Sequence, residues 1–235
     1  MISEKMKPFM ANNSAIRAMF EEGKRMAAIY GKENVYDFSL GNPNVPVPQV
    51  TEAILDVVKN EDFMTLHGYM SNAGFEDVRQ TIADSLNKRF GTNFSFKNLI
   101  MTVGAASGLN IILKSILNPG DEVIVPAPYW VSYYEMVRLF GGVPVVVNVS
   151  EEQGFQLTPE QLEQAITDKT KAIILNNPSN PTGAVYPKEA LKAVADVCVK
   201  HDLYIISDEI YDKLVYDGVP FTSVAALSDE IKAHT

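Results

Sequence analysis

Short runs of apolar residues, rich in Val and Ile, alternate with helical patterns along most of this sequence. The runs are bounded by Gly, Pro, Asn and Asp, which is typical of strands buried on both faces of a parallel sheet. None approaches the roughly 18 residues that a membrane-spanning helix requires. We expect strands within residues 100–103, 123–125, 143–149, 172–175 and 203–206.

Helical patterns fill the intervals between these runs. In residues 74–90 apolar side chains recur every three or four positions, and Gly91 follows as a stop signal. A second helix is predicted at residues 105–117, and Thr158 and Pro187 begin two more. Strands that alternate with helices form βαβ units. The sequence therefore predicts a three-layer α/β/α fold around a mostly parallel sheet.

A segment rich in Gly, Asn and Pro, residues 41–48, interrupts this alternation near the N-terminus. Before it, residues 11–31 have the pattern of an amphipathic helix, with Met19, Phe20 and Ala27 on the apolar side. We therefore divide the chain near residue 48, into an N-terminal helical arm, residues 1–48, and a main domain, residues 49–235.

Composition excludes several classes of function. The chain has 29 acidic and 20 basic residues and a net charge of −9, which disfavours binding to nucleic acid or to anionic membranes. The N-terminus has no continuous apolar segment of a secretory signal, so we expect a cytoplasmic protein.

The single cysteine, Cys198, falls on the apolar face of a helical pattern. It is interpreted as a core thiol, with a reactive thiol as the alternative.

In open α/β sheets, ligands bind beyond the carboxyl ends of the strands, so the residues that follow each apolar run carry the most functional information. After residues 100–103, the small residues Gly104, Ala105 and Ala106 begin a helix and expose backbone N–H groups that suit an anion. The alternative explanation of these small residues is tight helix–strand packing. After residues 123–125, Trp130 lies among three tyrosines and could stack on a flat heterocycle or pack in the core.

Two further strand ends carry polar side chains. Residues 176–183 contain two Asn-Pro turns that hold Asn180 at a strand end, although turn formation alone could require them. Asp208 directly follows a buried strand, where an unpaired carboxylate is costly, so it should face a cation or several donors. The alternative role for Asp208 is a helix N-cap. Tyr211 follows three residues later.

Together these groups suit one ligand, pyridoxal 5′-phosphate (PLP). An anion site, a stacking aromatic, an amide and a carboxylate with a nearby phenol match its phosphate, its ring face, its phenolic oxygen and its pyridine nitrogen. A carboxylate beside that nitrogen keeps it protonated, which makes the ring an electron sink. The motifs indicate no metal ion.

The sequence resembles the aspartate aminotransferase superfamily, the class I/II, fold-type I PLP enzymes, over nearly its whole length. The motifs that carry the resemblance are Tyr69-Met70-Ser71-Asn72-Ala73-Gly74 before a helix with Arg79, Pro119-Gly120-Asp121-Glu122-Val123, Asn177-Pro178-Ser179-Asn180-Pro181-Thr182-Gly183 and Ser207-Asp208-Glu209-Ile210-Tyr211. The resemblance implies a role for each site residue. Gly104, Ala105 and Ala106 would bind the PLP phosphate, Trp130 would stack on the ring, Asn180 and Tyr211 would bond to the phenolic oxygen, and Asp208 would pair with the pyridinium. Tyr69 would reach the phosphate of the neighbouring subunit, and Gly41 would line the pocket for the substrate carboxylate.

The role of Tyr69 implies a homodimer, and the resemblance implies that residues 1–48 include part of a small domain. Two departures from the family's pattern stand out. Ala106 occupies a position where relatives often have a hydroxyl or a lysine. The phosphate would therefore be bound mostly by backbone N–H groups, together with Ser107. The Schiff-base lysine of the family is expected beyond residue 235, so no catalytic residue is assigned; Lys213 and Lys232 are interpreted as solvated charges.

The resemblance implies transfer of an amino group between an amino acid and a 2-oxo acid, with aspartate as the first candidate donor. Two alternatives stay open: a PLP-dependent β-lyase of the same fold, and a short form that binds PLP or partners without catalysis. We expect the 235-residue chain to be inactive alone. Strands missing from its sheet would leave an exposed edge, which predicts marginal stability or self-association.

Overall fold

The fold was analysed in a computed structural model that describes residues 2–7, 15–41, 46–47 and 49–235. The chain forms two compact units, Met1–Tyr69 and Met70–Thr235, and each is described by itself. The predicted boundary near residue 48 stays a prediction. Within the described ranges, no helix has both the length and the apolar character needed to cross a bilayer.

The N-terminal unit is helical. It contains α1 (Ala15–Tyr30), α2 (Val50–Asn60) and α3 (Phe63–His67). Helix α1 confirms the predicted arm helix from Ala15 onward, while residues 11–14 lie outside the described residues. Asp62 caps α3 by accepting hydrogen bonds from the amides of Met64 and Thr65 at 2.9 and 3.2 Å.

The second unit is built on four parallel strands in the order β2-β1-β3-β4. Each strand contains or overlaps one of the predicted apolar runs, because a buried run of β-branched residues is stable only when its backbone groups are paired. The strands are β1 (Glu122–Ala127), β2 (Val143–Asn148), β3 (Thr170–Asn176) and β4 (Tyr204–Asp208). The helices are α4 (Glu76–Phe90), α5 (Ala105–Ile116), α6 (Ser132–Leu139), α7 (Pro159–Ala165), α8 (Lys188–Lys200) and α9 (Asp229–Ala233).

Helices cover both faces of this sheet, which confirms the three-layer α/β/α prediction. Successive residues of a strand point to opposite faces. On one face, Val123, Val125 and Ile174 pack with residues of α5 and α6. On the other face, Ile124 and Ile173 pack with residues of α7, α8 and α9. The two buried clusters fix which face of the sheet each strand residue occupies.

The predicted strand at residues 100–103 is wrong. The segment pairs with no strand among the described residues. The Met101 amide donates instead to the Ala73 carbonyl at 2.9 Å, and the Thr102 carbonyl accepts from the Gly104 amide at 3.0 Å. Val103 is 93% exposed. An apolar run alone does not make a strand, because a strand also needs a neighbour for its backbone groups.

The predicted helix boundaries agree closely with the structure. Helix α4 begins at Glu76, two residues later than predicted, and ends at Phe90 as predicted. Gly91 follows with a φ of 71°, which suits a residue without a Cβ atom. Thr158 caps α7, since its hydroxyl accepts a hydrogen bond from the Gln161 amide at 3.3 Å. Pro187 directly precedes α8, as expected.

Strand β4 forms one end of the described sheet. Its Ile205 amide donates to the His234 carbonyl at 2.7 Å instead of to a further strand. An open groove of about 480 Å³ lies beside it, with apolar walls from Ile112 and Ile116 of α5 and from Tyr204 and Ile206 of β4. This agrees with the predicted exposed edge, and its effect on stability and association stays a prediction.

We predict that Cys198 does not react with thiol reagents in the folded chain. The side chain is fully buried on α8, and burial raises the pKa of the thiol to about 12, so little reactive thiolate forms at mildly alkaline pH. Titration with a chromogenic disulfide should detect no thiol in the native chain and one equivalent after denaturation. Rapid stoichiometric labelling of the native chain would show that Cys198 is accessible.

Candidate active site

A cavity of about 200 Å³ opens at the carboxyl edge of the sheet. It forms there because β3 and β4 are parallel and end side by side, with Asn176 opposite Asp208. Six of the residues predicted to bind the cofactor lie together in its wall. The lining residues are Ala105, Ala106, Trp130, Tyr133, Asn176, Asn180, Asp208, Ile210 and Tyr211.

One end of the cavity is the start of α5. Gly104 precedes the helix with a φ of 79°, a conformation that favours glycine. The amides of Ser107 and Gly108 both donate to the Gly104 carbonyl, at 3.2 and 3.4 Å. The amides of Ala105 and Ala106 come earlier in the first turn, where a helix offers no carbonyl partner. They can therefore receive an anion at the positive end of the helix dipole.

The loop after β3 is held by the side chain of Asn176. Its Oδ1 accepts a hydrogen bond from the Asn180 amide at 2.7 Å, and its Nδ2 donates to the Asp208 carbonyl at 3.0 Å. The backbone of Asn180 is therefore tied to the ends of both strands. Its side-chain amide, by contrast, has no hydrogen bond to any other described residue, so it remains available to a ligand in the cavity.

Asp208 lies at the end of β4 and is only 9% exposed. The sequence predicted that this carboxylate would face a cation or several donors, and two donors reach it. The Tyr133 hydroxyl donates to Oδ2 at 2.7 Å, and the Ile210 amide donates to Oδ1 at 3.2 Å. The alternative role as a helix N-cap is wrong, because residues 210–213 form a turn and no helix follows.

Trp130 forms another wall of the cavity. Its indole meets the Tyr133 ring edge to face, with centroids 5.4 Å apart and planes at 86°. Tyr129 and Tyr134 instead stack on each other, with centroids 6.5 Å apart. Tyr133 is buried in the core, whereas Trp130 is half-buried and lines the cavity; stacking of Trp130 on a ligand stays a prediction.

Glu209 secures the segment that follows β4. Its Oε1 accepts hydrogen bonds from the Ser207 hydroxyl at 2.7 Å, the Ser223 hydroxyl at 3.1 Å and the Val224 amide at 3.0 Å. Burial raises the pKa of this carboxyl above its ordinary value, and the three donors oppose that rise. Glu209 therefore connects the Asp208–Tyr211 turn to residues 223 and 224.

Tyr69 and Gly41 belong to the N-terminal unit. Tyr69 is fully exposed, and a Cβ atom added at Gly41 would meet no atom of the other described residues within 4 Å. Their predicted roles toward a neighbouring subunit and toward substrate stay predictions. The predicted roles of the six cavity residues and Gly104 toward a cofactor also stay predictions.

Sequence reasoning missed Asn176, Tyr133 and Ile210 as residues of the site. Asn176 had a detectable signal, because it is the first polar residue after a buried run. Tyr133 is one of three tyrosines near Trp130 and had no signal that distinguished it from the other two. Its hydrogen bond to Asp208 joins residues 75 positions apart, and no local pattern reports such a contact.

No lysine is found among the residues that line the cavity in the described part of the chain. Lys213 is exposed, as expected of a solvated charge. Lys232 makes more contacts than expected, because its ammonium group bonds to Asn93 and pairs with Asp229 at 2.9 Å.

Comparison with known proteins places this geometry in a family. Residues 32–235 match the family model described as aminotransferase class I and II. The chain belongs to this family. The family uses PLP as its cofactor, which agrees with the ligand inferred from the strand ends.

The curated relatives are longer than this chain. It is 42% identical over 223 residues to the aspartate aminotransferase of Geobacillus stearothermophilus, covering 94% of this chain and 55% of that protein. The chain thus spans about half the length of the relatives that it matches.

Solved structures agree on the fold. An aminotransferase from Eubacterium rectale superposes with a TM-score of 0.91 at 40% identity, covering 98% of this chain and 60% of that one. The aspartate aminotransferase of Thermus thermophilus, solved with maleate, gives a TM-score of 0.85 at 37% identity, with 97% of this chain and 57% of that one covered.

We predict that Glu209→Gln and Glu209→Ala affect stability in opposite ways near neutral pH. Glutamine keeps an oxygen acceptor and removes a buried charge, whereas alanine leaves two hydroxyls and one amide without their acceptor, at about 1–3 kcal/mol for each group that stays unsatisfied. Thermal unfolding followed by circular dichroism should show that Glu209→Ala melts well below the wild type and that Glu209→Gln does not.

The effect of Glu209→Gln on the melting temperature should depend on pH in a defined direction. Because the folded pKa of Glu209 lies above its ordinary value, the stability that protonated Glu209 contributes is complete at acidic pH and is lost as pH rises through the folded pKa. The melting temperature of Glu209→Gln relative to wild type should therefore rise from acidic to neutral pH. Glu152→Gln, at an exposed position, is the control and should show no such trend. If the difference in melting temperature between Glu209→Gln and wild type does not change with pH, the raised pKa of Glu209 is contradicted.

Proposed function

We propose that this chain is the cofactor-binding part of an enzyme that transfers an amino group between an amino acid and a 2-oxo acid. The observation that carries the proposal is the cavity at the carboxyl edge, where a buried carboxylate, an indole, an unpartnered amide and the first turn of a helix converge. Such convergence of different polar groups in one pocket favours a single ligand with several distinct functional groups. PLP is that ligand.

Each wall of the cavity has a separate task. The amides of Ala105 and Ala106, after Gly104, would bind the phosphate, and Trp130 would cover one face of the ring. The side chains of Asn180 and Tyr211 would donate to the phenolic oxygen, since neither has a partner among the described residues. Their availability fits an acceptor that comes from outside the chain.

Asp208 would hold a proton on the pyridine nitrogen. A buried carboxylate forms strong charge-assisted hydrogen bonds, and an adjacent cation offsets the cost of burying it. When bound, the cofactor supplies an electron sink for the negative charge that develops at the α-carbon of an amino acid. The role of Asp208 is to keep that sink protonated throughout.

We propose a dicarboxylic amino acid, with aspartate first, as the donor. The supports are the aspartate aminotransferase of Geobacillus stearothermophilus and the maleate, a four-carbon dicarboxylate, in the Thermus thermophilus structure. Gly41 would present its backbone to the substrate carboxylate, and Tyr69 would reach the phosphate of a neighbouring subunit in a homodimer. Both roles are carried over from the resemblance.

The donor can be tested on a protein that contains this chain and has the length of its relatives. Incubation with aspartate and 2-oxoglutarate should produce glutamate, whereas the 235-residue chain alone should produce none. A parallel incubation with cystathionine tests the β-lyase alternative, which would break the Cβ–S bond and, after hydrolysis, release homocysteine, pyruvate and ammonia. Lyase products without glutamate would overturn the proposed transfer.

We predict that Asp208→Asn weakens cofactor binding by about ten- to a hundredfold. The substitution keeps the size of the side chain but removes the charge that pairs with the pyridinium, and a hydrogen bond to a charged group contributes about 1.5–3 kcal/mol. Pyridoxamine 5′-phosphate is the appropriate ligand, because its amine cannot condense with surface lysines as the aldehyde does. Binding is measured through the fluorescence of Trp130, the only tryptophan in the chain.

Asp196→Asn is the matched control. It removes the same charge from an exposed position of α8, where Asp196 pairs with Lys192, and it should bind the ligand like the wild type. Inorganic phosphate should compete with the ligand, while pyridoxine, which lacks the phosphate, should bind far more weakly. Equal affinities of Asp208→Asn and wild type would contradict the role of Asp208.

A further inference from the structure

Tyr133 connects two walls of the cavity and has no role in the function proposed above. Its hydroxyl donates to Asp208 Oδ2 at 2.7 Å, and its ring meets the Trp130 indole edge to face at 5.4 Å. Its own amide also donates to the Trp130 carbonyl at 3.0 Å. One side chain therefore contacts both the acid and the stacking aromatic.

The position of Tyr133 is fixed from behind. The residue is 2% exposed and belongs to the buried cluster that includes Leu109 and Leu113 of α5 and Val137 of α6. A side chain packed this closely has few alternative rotamers. Groups that contact it are therefore held relative to the core of the sheet, and not only relative to the loops that carry them.

Asp208 needs such support. Its backbone carbonyl is held by Asn176 and Asn177, but its carboxylate has one other recorded donor, the Ile210 amide at 3.2 Å. That bond spans two residues and belongs to a local turn. The Tyr133 hydroxyl is the donor that comes from a different element, so it defines the direction in which Oδ2 points.

From this geometry we propose that Tyr133 is a positioning residue that sets the Asp208 carboxylate and the Trp130 indole in fixed relation before the ligand arrives. The inference deepens the proposed function and rests on it. Groups that are held in place before binding cost less free energy to order when the ligand binds. The hydroxyl would act on Asp208 and the ring on Trp130, so the two contributions can be separated by substitution.

Tyr133→Phe removes the hydroxyl and keeps the ring. It should weaken binding of pyridoxamine 5′-phosphate about tenfold, equivalent to about 1.4 kcal/mol, while the Trp130 emission of the ligand-free chain stays like that of the wild type. Tyr133→Leu removes both contacts, so it should weaken binding further and also shift the Trp130 emission of the ligand-free chain. Affinities are calculated per folded molecule, with the folded fraction taken from circular dichroism.

Tyr134→Phe is the matched control. It makes the same chemical change at the next residue of α6, whose ring stacks on Tyr129, and it should leave affinity and emission unchanged. A double-mutant cycle of Tyr133→Phe and Asp208→Asn in the ligand-free chain should give a non-additive change in melting temperature, because the two side chains are bonded. A purely structural role predicts that coupling without any change in affinity.

The outcomes separate this inference from the proposed function. If the wild type binds the ligand and Tyr133→Phe binds it equally well, Tyr133 does not position the site and only this inference fails. If the wild type shows no binding at all, the proposed function fails and the inference fails with it. Weakened binding in Tyr133→Phe but not in Tyr134→Phe, with the Trp130 emission of the ligand-free Tyr133→Phe chain unchanged, supports the assignment.

Discussion

The candidate site depends on the pairing of β3 with β4. Because the strands are parallel and in a register that sets Asn176 opposite Asp208, two polar residues that are 32 positions apart meet where both strands end. The Asn176 side chain donates a hydrogen bond there to the Asp208 carbonyl. The alternation of side chains along buried strands makes this register hard to change. A shift of β4 by one residue would turn Ile205 toward the wrong helical layer and move Asp208 away from Tyr133. The hydrophobic core and the site are thus specified by the same pairing.

Much of the fold could be predicted from sequence because its determinants are local. The apolar runs, the glycine after α4 and the Thr158 cap each act within a few residues, and the structure has all of them. The segment at residues 100–103 was mispredicted since its apolar residues carry the same local signal. Unlike β3, this segment has no strand beside it in the described chain. A short window of sequence does not report whether a neighbouring strand is present.

The site shows the same division between local and distant determinants. Residues that end a strand or begin a helix, such as Ala105 and Asp208, could be located because topology brings all such ends to one edge. Tyr133 could not be assigned, since three tyrosines surround Trp130 and only a contact across the sheet distinguishes them. The sequence suggested the class of ligand from the residues at the edge, but not the residues that hold them in place.

The polar groups around the cavity fall into two sets with different consequences. Asn176, Tyr133 and the Asp208 backbone are bonded within the chain, so they form a framework whose hydrogen bonds do not need a ligand. The side chains of Asn180 and Tyr211 and the first amides of α5 face the same space without such partners. Several polar groups that converge on one cavity without partners among the described residues, beside a hydrogen-bonded framework, favour a ligand there. In this arrangement the ligand forms new hydrogen bonds without breaking those that hold the sheet edge together.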